Sequence, residues 1–225
     1  MSNLNPYGDR ESWYGAVPEA YHERSEYSFL EPDERLPDVL LIGDSLSMSY
    51  TIGVRYRLAD QANIFRAPDN CRSTRQTRDQ IETYLGNRNW KLIHFNWGMH
   101  DITLSDGGKT SVTGTPQVPE AEYRENFEWL IARLKRTSAK LIWATTTPVA
   151  DHVELRSNLN VDAYNKIASR IIESGEVEVN DLHALVRGQA SPIWSDGVHL
   201  SERGMDIVAG AVADSIRGVL GLEAD

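Results

Sequence analysis

Two short patterns hold residue types capable of nucleophilic chemistry. Gly43-Asp44-Ser45-Leu46 follows the unbroken apolar run Val39-Leu40-Leu41-Ile42, so Ser45 falls where a buried strand turns into a helix. A serine there exposes its hydroxyl in a crevice, and the N–H groups of a new helix start are donors for developing negative charge. Asp196-Gly197-Val198-His199 lies just ahead of the last helical stretch. A serine nucleophile needs a base, usually histidine, and the histidine needs a carboxylate to fix its tautomer and stabilise its charged form. Asp196, across a tight glycine turn, has the reach. Each pattern also has a plainer reading. Asp44 or Ser45 can simply cap a helix, and Asp196 can be a turn residue beside a surface His199.

The elements that must position these residues alternate from Pro37 onward. Strands are expected over 39–43, 63–66, 92–97, 141–145 and 177–179, and helices over 45–60, 75–87, 119–136, 161–174 and 201–220. Tyr123, Phe127, Leu130, Ile131 and Leu134 show the three- and four-residue steps of a one-sided helix. The Gly- and Thr-rich stretch 105–117 reads as a loop. Residues 1–37 show no sustained period and are expected as an extended lead-in over the domain, anchored by Trp13, Tyr14 and Tyr21. Residues 38–225 then form one α/β domain, a three-layer α/β/α sandwich around a mainly parallel five-stranded sheet in flavodoxin-like order. Ligands bind such sheets outside the carboxyl ends of the strands. The segments there are 43–45, 67–74, 96–101, 145–148 and the loop before the last helix.

Gly-Asp-Ser after the first strand, with Asp-x-x-His before the last helix, resembles the SGNH, or GDSL, hydrolase superfamily from Pro37 to the C-terminus. The chain order Ser, Asp, His matches as well, and no Gly-x-Ser-x-Gly elbow of an α/β-hydrolase is present. The resemblance implies Ser45 as nucleophile, His199 as base, Asp196 as its orienting acid, and ester cleavage without a cofactor or metal. The family's second block ends in a glycine whose N–H helps form the oxyanion hole. In Asn70-Cys71-Arg72-Ser73-Thr74 that position is held by Arg72, whose N–H serves only with a compatible backbone. The third block is usually Gly-x-Asn-Asp. Gly98-Met99-His100-Asp101 puts His100 in place of the asparagine, and an imidazole N–H can donate as an amide does. The expected oxyanion hole is therefore Ser45, Arg72 and His100, with Asp44, Asn70, Trp97 and Trp194 facing substrate. Asp101 is expected to fix its loop, and Cys71 to pack.

With 23 Lys+Arg against 33 Asp+Glu among 225 residues, the net charge is −10. Without a basic cluster, neither nucleic acid nor an anionic membrane is an expected partner. The single cysteine excludes an intramolecular disulfide. No stretch approaches the ~18 apolar residues of a span, and the first residues lack a basic n-region and an apolar h-region, so a cytoplasmic location is expected. The expected partner is a small-molecule or oligosaccharide ester. Without a lid-like segment or a broad apolar face, the acyl group is expected to be short, such as acetyl on a sugar. Asp44, Asp101 and Asp196 favour a neutral substrate unless Arg72 offsets them. The competing functions are a metal-assisted hydrolase using His94, His100, Asp101, Asp196 and His199, a non-catalytic carbohydrate-binding module, and an acyl transferase with the same triad.

Overall fold

The apolar run after Pro37 becomes strand β1 (Asp38–Ile42), whose residues divide between two cores. Val39 and Leu41 join one, Leu40 and Ile42 the other, and all four are fully buried. A strand covered on both faces has to be apolar throughout.

The computed structural model describes residues 5–173, 175–189 and 193–223. Helix α1 (Arg10–Ala16) precedes β1. After β1 come α2 (Ser45–Arg57), β2 (Asn63–Arg66), α3 (Thr74–Leu85) and β3 (Leu92–Phe95), then three short strands, β4 (Leu104–Asp106), β5 (Lys109–Thr110) and β6 (Thr115–Pro116). The chain continues through α4 (Glu120–Lys135), β7 (Lys140–Ala144), α5 (Asn158–Ile172), β8 (Val177–Asn180), α6 (Leu182–Arg187) and α7 (Glu202–Leu220). Among the described residues no helix is long and apolar enough to cross a membrane.

Five strands pair in the order β2-β1-β3-β7-β8, all parallel, which is the expected flavodoxin-like arrangement. Helices α2, α6 and α7 cover one face of the sheet and α3, α4 and α5 the other. The register sets Ile42 beside Phe95 and Phe95 beside Trp143. The chain therefore leaves β1, β3 and β7 at one level, and Gly43-Asp44-Ser45 emerges beside the segments after Phe95 and Ala144.

Three details depart from the sequence reading. The lead-in is not extended throughout: Asp9 caps α1 by accepting from the Ser12 N–H at 2.7 Å, and 3-10 turns follow at Glu19–Tyr21 and Ser25–Tyr27. The stretch 105–117 is not plain loop but is largely built into a small antiparallel sheet, β5-β4-β6. Helix α6 follows the last strand, where no element was expected. Ser174, the expected end of α5, and residues 1–4 of the lead-in lie outside the described residues.

The lead-in is held by aromatic burial. Trp13, Tyr7 and Tyr27 are buried, whereas Tyr14 and Tyr21 are only half-buried. The Trp13 indole N–H donates to the Tyr27 carbonyl at 2.6 Å, and the Tyr7 ring packs within 6 Å of Trp13, Phe65 and Trp90. Arg88 links the segment to the sheet, bonding both the Asp38 carboxylate (2.7 Å) and the Tyr7 carbonyl (3.1 Å). Removing a buried indole leaves a cavity and an unpaired carbonyl. Trp13→Ala should therefore cost about 3–5 kcal/mol, read as a lower urea midpoint with an unchanged slope.

Candidate active site

Helix α2 begins at the carboxyl end of β1, and its first turn sets the geometry. Asp44 is the N-cap, its carboxylate accepting the Leu46 N–H at 2.9 Å while its carbonyl accepts the Met48 N–H. The Ser45 N–H has no acceptor among the described residues, as expected of a first-turn donor. The Ser45 hydroxyl lies 3.1 Å from His199 Nε2. On the far side of the ring, His199 Nδ1 lies 2.6 Å from Asp196 Oδ2. With the proton on Nδ1 toward the carboxylate, Nε2 presents its lone pair to the serine hydroxyl, which donates to it.

The turn carrying this pair is fixed by its backbone. Asp196 Oδ1 accepts the N–H groups of Val198 (2.9 Å) and His199 (2.7 Å), and Gly197 takes the positive φ of 91° that closes the turn. Ser195 N–H donates to the His199 carbonyl, Ser201 N–H to Ile193, and Ala150 N–H to Gly197. Burial raises the Asp196 pKa, but the bonds from His199 and Val198 outweigh it, so the carboxyl lies below the usual carboxylate range and stays ionised.

The opposite wall comes from the segments after β2 and β3. Arg72 has φ +48°, a left-handed backbone that a glycine would adopt freely, and its N–H donates to Asn70 Oδ1 at 3.0 Å. His100 forms no side-chain hydrogen bond among the described residues, while its carbonyl accepts from the Gln117 amide. Burial holds the His100 pKa below the ordinary histidine value. Asp44 counters this, while Arg156, Arg72 and His199 add to it, so the ring is neutral at pH 7 and offers one N–H. Gly98 has φ +147°, and a Cβ there would collide with Thr146 Oγ1, the hydroxyl that donates to the Trp97 carbonyl.

Asp101 joins the two segments. Fully buried, its carboxylate accepts the Thr74 N–H (2.9 Å) and the Thr74 hydroxyl (2.5 Å) at the start of α3.

Not every expected substrate contact faces the crevice. Asp44 is fully buried with one oxygen spent on the helix cap. Trp97 is fully buried against Phe95 and Phe127. Both are corrections: sequence adjacency to a site residue does not decide which way a side chain points. Trp194 is half-buried and packs its apolar body against the α2/α7 core. Asn70 braces Arg72. Cys71 is buried, and its thiol is pushed up to about 12 by that burial, as befits a packing residue. His94 and Asp101, two of the suggested metal ligands, are fully buried and bonded to Asn180 and Thr74. Among the described residues no three His, Cys, Asp or Glu side chains converge as a set able to hold a metal ion.

Sequence reasoning missed the segment before α5. His152, Val153 and Arg156 line a cleft of about 340 Å³ with Asp196, Val198 and His199. Arg156 is half-buried, and its Nε–H donates to the Met99 carbonyl at 3.1 Å. No sequence signature marks an arginine in an irregular loop. Larger depressions, of about 560 and 580 Å³, lie against Asn63 and Lys140, the amino ends of β2 and β7, away from Ser45.

The Asp101 linkage has a pH signature. Burial, set against the Thr74 bonds that pull the other way, pushes its pKa up to about 7, above the ~3.9 of an unfolded aspartate. Between those values the folded state keeps a proton that the unfolded chain has lost, so this group's contribution to stability falls as pH rises through the window. Relative to the native chain, Asp101→Asn should gain thermal midpoint between about pH 4.5 and 7.5. A constant difference across that range would show that Asp101 does not titrate there.

No protein-family model matches the sequence, and no curated protein matches it. Solved structures do. A lipase/acylhydrolase from Enterococcus faecalis superposes with a TM-score of 0.69 at 16% identity, over 84% of this chain and 99% of that one. An acetyl xylan esterase gives 0.66 at 16% identity, over 80% of this chain and 99% of that one. A GDSL-like lipase from Bacteroides thetaiotaomicron gives 0.63 at 15% identity, over 86% and 94%. With the parallel 2-1-3-7-8 sheet and its long flanking helices, the chain has the SGNH-hydrolase fold.

Proposed function

We propose that the chain is a serine ester hydrolase of the SGNH superfamily that removes short acyl groups, acetyl on carbohydrate in particular. The observation that carries this reading is the hydrogen-bonded series Ser45–His199–Asp196 at the carboxyl end of the parallel sheet. In it, His199 Nε2 takes the hydroxyl proton as Ser45 Oγ attacks the ester carbonyl, and Asp196 stabilises the imidazolium that forms. The carbonyl oxygen becomes an oxyanion facing the Ser45 N–H and the His100 ring, two donors without competing partners. The Arg72 N–H joins them when Asn70 Oδ1 releases it. His199 then returns the proton to the departing alcohol, and water, activated by the same ring, cleaves the acyl-enzyme.

A carbohydrate alcohol is favoured by the cleft beside His199, which sets the hydrogen-bonding side chains of His152, Glu154, Arg156 and Asp196 among Val153, Leu155 and Val198. Two of the similar solved structures are acetyl xylan esterases, which supports acetyl on a sugar.

A fluorophosphonate probe should label the native chain at Ser45, and Ser45→Ala should abolish both labelling and turnover of p-nitrophenyl acetate. Unchanged turnover in that variant would overturn the reading. His100→Ala should lower kcat by about 10²–10³, whereas His100→Asn, which keeps an N–H donor, should retain much of the rate. Equal losses in the two variants would assign His100 a packing role instead.

A further inference from the structure

Arg156 places an unpaired cation in a site whose aspartates are already engaged. Its Nε–H is spent on the Met99 carbonyl, in the loop that carries His100, and its two Nη groups make no hydrogen bond among the described residues. Among the described residues no carboxylate lies within ion-pair distance of it. Asp196 is committed to His199 and Val198, and Asp44 caps α2. Glu154 lines the same cleft but is solvent-exposed and does not pair with Arg156. Burial disfavours the guanidinium charge, and only the fields of Asp44 and Asp196 offset it. A half-buried cation without a counter-ion is costly to keep. A guanidinium with a free fork is matched to a carboxylate, which it binds through two parallel bonds.

The position of the fork decides which part of the substrate it reads. Arg156 shares its cleft with His199, the group that in this reading hands a proton to the departing alcohol, and with Asp196, which orients it. The alcohol moiety therefore occupies this cleft, while the acyl group faces Ser45 and His100. Resting on the hydrolase reading above, we propose that Arg156 is a specificity-determining residue that binds a carboxylate on the alcohol side of the ester, so that the preferred substrate is an acylated acidic sugar of the hexuronate class. This replaces the neutral sugar that the three aspartates suggest, because Asp44 and Asp101 are buried and bonded while Arg156 and Arg72 face the site. Arg72 adds to the same field: it is solvent-exposed, its side chain pairs with no group among the described residues, and it acts on His100 in the same direction as Arg156.

The test compares O-acetylated methyl glucuronoside with O-acetylated methyl glucoside. For the native enzyme, kcat/KM should favour the uronate by about 10–100-fold, the range of a charge-assisted bidentate contact, and added salt should shrink the ratio. In Arg156→Gln the ratio should fall to near one, mainly through KM for the uronate, and Arg156→Lys should recover part of it. A native enzyme without preference, or an Arg156→Gln variant that keeps it, would overturn the proposal. Calorimetric titration of Ser45→Ala protein with the two sugars separates this claim from the hydrolase reading. Uronate-selective binding lost in the Ser45→Ala/Arg156→Gln double variant, with no probe labelling of the native chain, would sink the esterase and keep the Arg156 subsite. Labelling without selectivity would do the reverse.

Discussion

The site depends on one buried contact, the Asp101 carboxylate on the Thr74 N–H and hydroxyl. The proposed nucleophile, Ser45, is placed by the turn from β1 into α2, but the proposed oxyanion donors Arg72 and His100 come from two other segments, those after β2 and after β3. Neither segment is in a sheet or helix where Arg72 and His100 stand. Asp101 follows His100 directly, and Thr74 lies two residues beyond Arg72, so their bond sets the spacing between the two donors. A contact between surface groups would be worth little and would drift. Burial makes this one rigid, at the expense of a carboxylate pushed far above its ordinary range. Gly98 and Thr146 complete the brace, since the backbone approach there leaves no room for a Cβ.

The base half is built differently. His199 and Asp196 stand on a turn with about half of each side chain exposed, held by backbone bonds to Ser195, Ile193 and Ala150 rather than by a core. A charge pair that must ionise during a reaction gains from nearby water, and a second substrate, water itself, must reach His199 once the alcohol has left. Of the proposed donors for negative charge, His100 sits half-buried, where each hydrogen bond counts for more. The proposed division follows the fold: the β1–α2 turn fixes Ser45, the Asp101–Thr74 brace fixes its proposed donors, and the irregular segment ahead of α7 holds His199 and Asp196.

What could be read from the sequence follows from which residues have a local signature. The strands were legible because two-sided burial demands runs such as Val39 to Ile42, and Ser45, Asp196 and His199 because tight turns constrain their spacing. Arg72 at the glycine position was legible as an anomaly, and its φ of +48° fits that reading. Asp44 and Trp97 were read as substrate-facing because they adjoin site residues, yet capping turns one inward and packing on Phe95 and Phe127 buries the other. Helix α1 escaped because its Trp13 packs on Tyr7, whose ring in turn packs on distant Phe65 and Trp90, which no local period reveals. Arg156 escaped for the same reason, its role being set by Met99, 57 positions away in the chain.

Arg72 and Arg156 also give the charge of the chain a different meaning. A side chain in the left-handed region costs of order 1–2 kcal/mol relative to glycine, and strained residues of this kind persist where the surroundings over-determine them. Here the surroundings include Asn70, which accepts the Arg72 N–H, and the Asp101–Thr74 brace immediately after it. The substitution that strains the backbone also brings an exposed guanidinium whose field reaches His100, as that of Arg156 does. A chain of net charge −10 thus surrounds its neutral His100 with positive field from two sides, while its nearby carboxylates are spent on a helix cap, a loop brace and an imidazole. In the proposed reading that arrangement would stabilise an oxyanion beside His100 and a carboxylate beside His199 through the same electrostatic sign, so recognition of an acidic substrate and stabilisation of its transition state would not compete.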